Sequence, residues 1–175
     1  MWYVIQVKTG EEQKILIQTE KLLCQSDDGN NSKVLEKAFI PRYERKRRYK
    51  GQWNTSKEVL FPGYVFLCSE DPEQLYIELK QVVGLTKLLR SDESILPLQE
   101  KEEKFLRQVE NEENVVELST GLIEDSQVVI KEGPLKGLES KIKKIDRHKR
   151  LAWIEMEMLG EVRLVAVGLE IVEKR

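Results

Sequence analysis

The sequence predicts an α+β protein, with an amino-terminal α/β sandwich followed by a small five-stranded β-barrel. Three observations predict this fold class. Strand-type and helix-type segments alternate over the first part of the chain, short β-type runs fill the last part, and an acidic, polar stretch separates the two. We therefore expect one domain over residues 1–110, a linker over residues 111–121 and a second domain over residues 122–175.

The composition is that of an ordinary globular chain. Its 175 residues carry 34% charged side chains and a net charge of −2. Neither an apolar run of membrane-spanning length nor a signal peptide is present, so we expect a cytoplasmic protein without a membrane partner. Cys24 and Cys68 lie far apart and His148 is the lone histidine. Since the acids do not converge with a second titrating group, we expect no catalytic residues, no metal, no cofactor and no enzyme activity.

The first domain begins with a strand and a helix. Residues 2–7 are β-rich, and Thr9-Gly10-Glu11-Glu12 has the form of a capping box. The box predicts a helix over residues 10–23, with Ile15 and Leu22 on its apolar face.

The rest of the first domain is predicted to continue the alternation of strands and helices. Polar residues 25–33 predict a loop, residues 34–41 a strand, residues 42–55 a charged excursion rich in turn formers, and residues 59–67 a return to β-structure. Asp71-Pro72 fits an N-cap followed by proline at the first helical position, which predicts a helix to about residue 79. A strand over residues 84–89 and a helix over residues 100–109 complete the domain.

The second domain reads as all β. Five short runs are expected to be strands, namely residues 127–130, 140–145, 151–156, 162–167 and 169–172. Turns are expected at Gly133-Pro134, at residues 146–149, at Gly160 and at Gly168. Five short strands of this spacing typically curl into a barrel, because closure removes exposed sheet edges.

Two motifs on separate domains point to one family. The first is Leu60-Phe61-Pro62-Gly63-Tyr64, and the second is Gly133-Pro134-Leu135-Lys136-Gly137. The chain resembles the NusG family of transcription elongation factors, whose amino-terminal domain carries the first motif and whose carboxy-terminal KOW domain, an SH3-like barrel, carries a Gly-Pro-x-x-Gly turn. Trp2-Tyr3-Val4 and Gly84-Leu85 also match, so the resemblance covers nearly the whole chain.

The resemblance implies that the first domain docks on the clamp helices of the largest subunit of RNA polymerase. The matching residues are Phe61, Tyr64 and Phe66. Aromatic rings offer a large buried area at little entropic cost. Alternation along a strand predicts Tyr64 and Phe66 on one face and Phe61 on the other. The alternative is that these rings fill the core, which we expect for Phe61.

The charged excursion is a candidate DNA contact. Its six cations are Arg42, Arg45, Lys46, Arg47, Arg48 and Lys50. The aromatic residues Tyr43, Tyr49 and Trp53 are interleaved with them. Cations neutralise phosphate while rings stack on unpaired bases, which predicts a contact with non-template or upstream DNA. The alternative is a solvated loop.

The second domain carries a concentrated basic patch. Eight Lys or Arg stand against three acids over residues 131–150. The candidate RNA-binding residues are Lys131, Lys136, Lys141, Lys143, Lys144, Arg147, His148, Lys149 and Arg150. In a strand, Lys141 and Lys143 would share a face while Ile142 points inward. We expect this patch to bind a nascent RNA hairpin largely through backbone and shape, although charge for solubility is the alternative.

One segment departs from the general family pattern. General members contact the termination factor Rho or a ribosomal protein near an Ile-Phe-Gly-Arg sequence, where this chain has Met158-Leu159-Gly160-Glu161. Leu159 stands where the family sequence has phenylalanine, which removes a ring, and Glu161 stands where it has arginine, which reverses the charge. This departure argues against the same partnership with Rho or the ribosome. Because general members carry fewer charges in the basic hairpin around residues 141–150, the resemblance indicates a specialised antitermination paralogue, similar to LoaP, and we expect a monomer. The alternatives are a general NusG-type elongation factor that couples polymerase to Rho or the ribosome, and a ribosomal RNA-binding protein.

Overall fold

A computed structural model describes residues 1–23, 34–85 and 95–175. They form two compact units, one of residues 1–40 and 61–100 and the other of residues 41–60 and 101–175. The domain limits predicted at residues 110 and 122 stay a prediction. In chain order the elements are β1 (Trp2–Gln6), α1 (Glu12–Leu23), β2 (Lys37–Phe39), β3 (Arg42–Tyr49), β4 (Gln52–Val59), β5 (Tyr64–Cys68), α2 (Pro72–Leu79), β6 (Ile95–Pro97), α3 (Glu100–Val109), β7 (Val115–Val116), β8 (Ser119–Glu124), β9 (Gln127–Glu132), a 3-10 helix (Glu139–Lys141), β10 (Ile142–Asp146), β11 (Leu151–Met158) and β12 (Glu161–Lys174).

The first unit is a four-stranded antiparallel sheet with α1 packed against it. The strand order is β2-β5-β1-β6. Ile5 of β1 and Val65 and Phe66 of β5 are fully buried, as are Leu75 and Leu79 of α2. The predicted combination of strands and helices is therefore present in this unit.

An acid lies at the start of both α1 and α2, and at α2 it caps the helix. Asp71 accepts a hydrogen bond from Gln74 N at 3.1 Å and Pro72 is the first helical residue, as predicted. At α1, the Glu12 carboxylate accepts from Gly10 N at 3.0 Å and from Gly63 N at 2.7 Å. The helix begins at Glu12, two residues later than predicted.

The apolar face predicted for α1 is wrong at one position. Leu22 is 48% exposed, whereas Ile15, Thr19 and Leu23 are buried. Buried positions four residues apart follow the helical period, and Leu22 falls outside this stripe. The predicted loop over residues 25–33 and most of the predicted strand over residues 84–89 lie outside the described residues, and Gly84 and Leu85 form a turn.

The charged excursion is a β-hairpin, which corrects the prediction of an irregular segment. β3 and β4 pair over eight residues each, from Arg42 opposite Val59 to Tyr49 opposite Gln52. Lys50 and Gly51 form a two-residue turn with positive φ angles of 49° and 77°. Such a turn matches the twist of paired strands. The strands were not predicted because β3 is mostly charged and β4 mostly polar, which hides the period of two.

The second unit also contains a five-stranded sheet of order β10-β11-β12-β8-β9. The edge strands β9 and β10 line one groove, through Val128 on one side and Lys143 on the other. The strand β8 was missed by the sequence analysis, which assigned its first residues to a linker. The expected strand over residues 140–145 begins only at Ile142, because Lys141 ends the 3-10 helix. A bulge also interrupts the strand between Ile142 and Lys144, so Lys141 and Lys143 do not share a strand face.

The two last predicted strands are one continuous strand. β12 runs through Gly168, which pairs with Leu151 instead of forming a turn. A Cβ atom at Gly168 would lie 2.1 Å from the carbonyl oxygen of Glu44. The glycine is thus explained by close approach of the hairpin to β12.

The predicted helix over residues 100–109 is confirmed as α3. Its buried Glu102 accepts a hydrogen bond from Gly160 N at 2.9 Å, and Lys141 lies 5.2 Å from the centre of the Phe105 ring. The helix therefore packs on the five-stranded sheet. Across the described ranges, none of the helices combines the length and the apolar character needed to cross a membrane.

Candidate nucleic-acid interface

The end of the β3–β4 hairpin presents cations and rings to solvent. We define the hairpin tip as residues 48–53. Arg48 lies directly opposite Trp53 in the register, and Tyr49 is 66% exposed. The Lys50 ammonium lies 5.3 Å from the centre of the Tyr49 ring. No carboxylate pairs with Arg48 or Lys50 among the described residues.

A second basic segment connects β10 to β11. This β10–β11 turn comprises residues 147–150, and Arg147, His148 and Lys149 are exposed. The Asp146 carboxylate accepts a hydrogen bond from Lys149 N at 2.9 Å. That bond, with help from the charges of Lys149 and His148, holds the pKa of Asp146 below its usual range. An ionised Asp146 therefore fixes the shape of the turn.

The hairpin tip and the β10–β11 turn touch each other. The guanidinium carbon of Arg150 lies 3.7 Å from the centre of the Trp53 ring, a cation–π contact. Arg45 of β3 donates a hydrogen bond from Nη2 to the carbonyl oxygen of Lys149 at 3.1 Å. The structure thus brings together two segments that the sequence analysis assigned to different sites.

Glu170 of β12 anchors this junction. Its carboxylate pairs with Lys46 Nζ at 2.7 Å and with Arg150 Nη1 at 3.3 Å, and its side chain is only 19% exposed. Glu44 of the hairpin accepts a hydrogen bond from Leu118 N at 3.3 Å, which connects the hairpin to the residue before β8. One half-buried acid therefore bridges a cation of the hairpin and a cation of the turn.

Two further cations of the hairpin, Arg45 and Arg47, contact a second acid, Glu58. Glu58 accepts hydrogen bonds from the Tyr43 hydroxyl at 3.0 Å and from Arg47 Nη1 at 3.0 Å, and it lies 3.7 Å from Arg45 Nη1. Burial and then the Glu58 charge raise the pKa of Tyr43. Arg42, at the base of the hairpin, donates its backbone N–H to Asn114 O at 3.0 Å.

The remaining cations predicted to bind RNA are spread over the five-stranded sheet. Lys143 pairs with Glu155 at 3.7 Å, and Lys144 lies 4.9 Å from the centre of the Trp153 ring. Lys131 and Lys136 are exposed near the end of β9. The residues predicted as one patch are therefore divided. Three exposed basic side chains lie on the β10–β11 turn, whereas the lysines lie elsewhere on the sheet, and most of them contact a neighbouring acid or aromatic ring.

The turn after β9 lies at the same end of the sheet as the β10–β11 turn. Leu135 N donates to Ser119 Oγ at 3.1 Å, Ser119 pairs with Leu169 in the register, and Leu169 N donates to Arg150 O at 3.0 Å. These bonds link the two turns through one row of residues. Glu170 and Glu58 were not predicted as part of the site, because Glu170 contacts the distant Lys46 and Glu58 meets its cations across the unpredicted hairpin.

Comparison with known proteins settles the family. A family profile described as "Transcription termination factor nusG" matches residues 1–107. The chain belongs to the NusG family. It is 26% identical over 180 residues to the "Transcription termination/antitermination protein NusG" of Halalkalibacterium halodurans. The alignment covers 99% of this chain and 97% of that protein. A solved structure described as "Domain interaction in Thermotoga maritima NusG" has the same fold, with a TM-score of 0.57 at 20% identity over 97% of this chain and 93% of that one.

The predicted family and the predicted α+β fold are therefore confirmed. The protein is a NusG-family transcription termination/antitermination factor, and such factors interact with the transcription machinery. NusG proteins form a family of transcription factors. In the part of the chain that the structure describes, no group of His, Cys, Asp and Glu is placed to hold a metal ion.

The NusG motif over residues 60–64 places its aromatic rings mostly inside the first unit. Phe61 and Phe66 are buried, and their ring centres lie 5.7 Å apart. The prediction that they lie on opposite faces is wrong, because a turn at Gly63, with φ of 86°, breaks the strand alternation between them. Tyr64 is half-buried and reaches the surface.

The segment that departs from the NusG pattern is a tight turn held by α3. Leu159 and Gly160 adopt positive φ angles of 55° and 76°, and the Gly160 N–H is the group that donates to Glu102. Glu161 pairs with Arg163 at 3.4 Å. Its charge is thus directed toward a neighbouring cation of its own strand.

Proposed function

We propose that this NusG-family protein is a specialised antitermination factor that binds RNA polymerase through its amino-terminal domain and nascent leader RNA through its KOW domain. The observation that carries the RNA part is the β10–β11 turn. Arg147, His148 and Lys149 are exposed there in a protein whose net charge is −2. Arginine and lysine gathered on one turn attract phosphate, and recognition of an RNA stem rests largely on such backbone contacts.

Binding to polymerase is proposed to use Tyr64 directly. Among the three matching aromatic residues, Tyr64 alone is not buried. Phe61 and Phe66 support it from beneath, because their stacked rings fix the turn and strand that carry it. An aromatic anchor on a rigid support fits the clamp helices of the largest polymerase subunit.

The hairpin tip is proposed to contact the non-template DNA strand near the polymerase. Arg48 and Lys50 supply charge, and Tyr49 and Trp53 supply exposed rings. Unpaired bases stack on such rings while the cations follow the phosphates.

Leader RNA binding by the full chain is the first test. Anisotropy titrations use a panel of labelled RNA stem-loops that share one stem and differ in loop sequence, at several salt concentrations. Arg147→Ala/Lys149→Ala changes the turn, and Lys104→Ala/Lys174→Ala is the matched control, because it also removes two exposed cations. We expect the turn variant to lose about tenfold or more in affinity and to flatten the salt dependence, while the control stays near the parent.

A transcription assay then tests the biological role. Purified polymerase transcribes a template that carries the preferred stem-loop upstream of a terminator. We expect readthrough that requires both the stem-loop and the intact turn. Equal weak binding to every RNA, unaffected by the turn variant, together with Rho-dependent or ribosome-dependent effects, would return the protein to the role of a general NusG-type elongation factor.

A further inference from the structure

The hairpin tip and the β10–β11 turn were predicted as two separate sites, one for DNA and one for RNA. We propose instead that they form one nucleic-acid-binding surface, on which a single RNA stem-loop contacts both segments and excludes single-stranded DNA. This inference rests on the proposed RNA-binding function and specifies where and how the RNA is held.

Direct contacts make the surface continuous. The Arg150 guanidinium lies 3.7 Å from the centre of the Trp53 ring, and Arg45 donates to the Lys149 carbonyl oxygen at 3.1 Å. Gly168 permits the hairpin backbone to approach β12 closely, since any Cβ there would clash with the carbonyl oxygen of Glu44. A ligand that covers the turn therefore borders the tip as well.

The charge of this surface is positive after its internal pairs are counted. Glu170 is shared by Lys46 and Arg150, so this group carries one net positive charge and is largely buried. Outside it, Arg48 and Lys50 on the tip and Arg147 and Lys149 on the turn are exposed. Two more acids lie nearby: the Asp146 carboxylate is engaged by the turn backbone, and Glu58 is engaged by Arg45 and Arg47. Four exposed cations on adjoining segments can follow a phosphate backbone from one segment to the other.

Exposed rings supply the part of the surface that reads unpaired bases. Trp53 keeps 39% of its area exposed although Arg150 lies against its ring, and Tyr49 is 66% exposed. A cation over one face leaves the remaining ring surface available for a base, and stacking of bases on aromatic rings strengthens the binding of unpaired strands. An RNA stem-loop offers both elements together, because its stem carries phosphates and its loop carries unstacked bases.

Single-stranded DNA would compete with the RNA for this surface. Single-stranded DNA needs the rings of the tip and the neighbouring cations, which are the groups that the RNA loop would occupy. Two polyanions held side by side on four cations would also repel each other. The chain would therefore hold either the leader RNA or the DNA strand at this surface at any one time.

The test is a competition titration with three double variants of the full chain. The probe is the labelled stem-loop that the parent protein binds best, and the competitor is unlabelled single-stranded DNA of the same length. Arg48→Ala/Lys50→Ala changes the tip, Arg147→Ala/Lys149→Ala changes the turn, and Lys104→Ala/Lys174→Ala is the control. Circular dichroism checks that each variant is folded. Trp53→Phe serves as a milder change of the tip, because it keeps an aromatic ring.

One surface predicts a common response. The tip and turn variants should each weaken RNA binding by about tenfold and each lower the slope of log K against log salt by about 1 to 2. Trp53→Phe should weaken binding less than either, and DNA should displace all of the bound RNA.

Three outcomes would contradict this inference, and they separate it from the proposed function. If the turn variant loses RNA binding while the tip variant and Trp53→Phe match the parent, the sites are separate and the proposed RNA-binding function stands. If labelled RNA stays bound at saturating DNA, the shared surface is wrong. If the parent binds no stem-loop, the proposed function itself fails.

Discussion

The Arg150 guanidinium carbon stacks 3.7 Å from the centre of the Trp53 ring and joins two segments that are distant in the sequence. Arg150 belongs to the turn predicted to bind RNA, and Trp53 to the hairpin predicted to bind DNA. Their contact turns two sequence motifs into neighbours. Four consequences of this arrangement and of the surrounding fold can be measured.

Removing the charge of Glu170 should destabilise the second unit. Glu170→Gln leaves Lys46 and Arg150 without their shared carboxylate in a site that is only 19% exposed at Glu170. We expect a loss of about 1–3 kcal/mol in the free energy of unfolding, measured by urea titration. Glu161→Gln is the control, because the side chain of Glu161 is 74% exposed, and it should change stability by less than about 0.5 kcal/mol. Equal effects of the two changes would contradict the bridging role of Glu170.

Adding one methyl group at Gly168 should push the hairpin away from β12. The new Cβ of Gly168→Ala would lie 2.1 Å from the Glu44 carbonyl oxygen, so the backbone has to move. We expect a cost of about 1–3 kcal/mol and weaker RNA binding. Val172→Ala on the same strand changes an exposed side chain and should be nearly neutral. A fully stable Gly168→Ala variant would show that the close approach is not needed.

Glu12 should hold the Leu-Phe-Pro-Gly-Tyr turn in place. Its carboxylate accepts from Gly10 N and from the buried Gly63 N. Glu12→Ala leaves both donors without this acceptor, which should cost about 1–3 kcal/mol in unfolding free energy. Glu12→Gln keeps one carbonyl oxygen and should cost less, and exposed Glu20→Ala serves as the neutral control. A neutral Glu12→Ala would contradict this role of Glu12 in holding the turn.

Tyr64 and Phe66 should separate polymerase binding from stability. Phe66→Ala empties a fully buried site and should cost about 3–5 kcal/mol. Tyr64→Ala should cost far less stability, yet weaken binding to purified RNA polymerase in a pull-down titration. Tyr76→Ala, also half-buried in the same unit, controls for loss of a tyrosine. Parent-like polymerase binding by Tyr64→Ala would contradict the proposed anchor.

Local sequence patterns predicted the elements whose cause is local. The Asp71-Pro72 cap and α3 were predicted correctly, because a helix start depends on neighbouring residues. The β3–β4 hairpin was missed, since its charged strands are stabilised by Glu58 and by Glu170, which lies far along the chain. The prediction also split β12 at Gly168, because the contact that explains this glycine is with a residue far away in the sequence. A glycine reads locally as a turn, but here it accommodates the backbone at Glu44.

The candidate site was predicted as a set of residues and not as an arrangement. The basic character of residues 147–150 and 42–53 is plain from the sequence. That Arg150 meets Trp53 depends on the pairing of β11 with β12 and on contacts of the hairpin with β12, which no local pattern contains. Phe61 was correctly expected in the core, whereas its contact with Phe66 required the turn at Gly63.

One measurement tests the shared surface most directly. Proton–nitrogen NMR spectra of the labelled full chain show one indole signal for each of Trp2, Trp53 and Trp153, and Trp53→Phe assigns the signal of Trp53. On addition of the preferred RNA stem-loop, we predict that the Trp53 indole and the amides of residues 147–149 shift together with one dissociation constant, while the Trp2 indole stays in place. Shifts of the turn amides with an unchanged Trp53 indole would contradict the account.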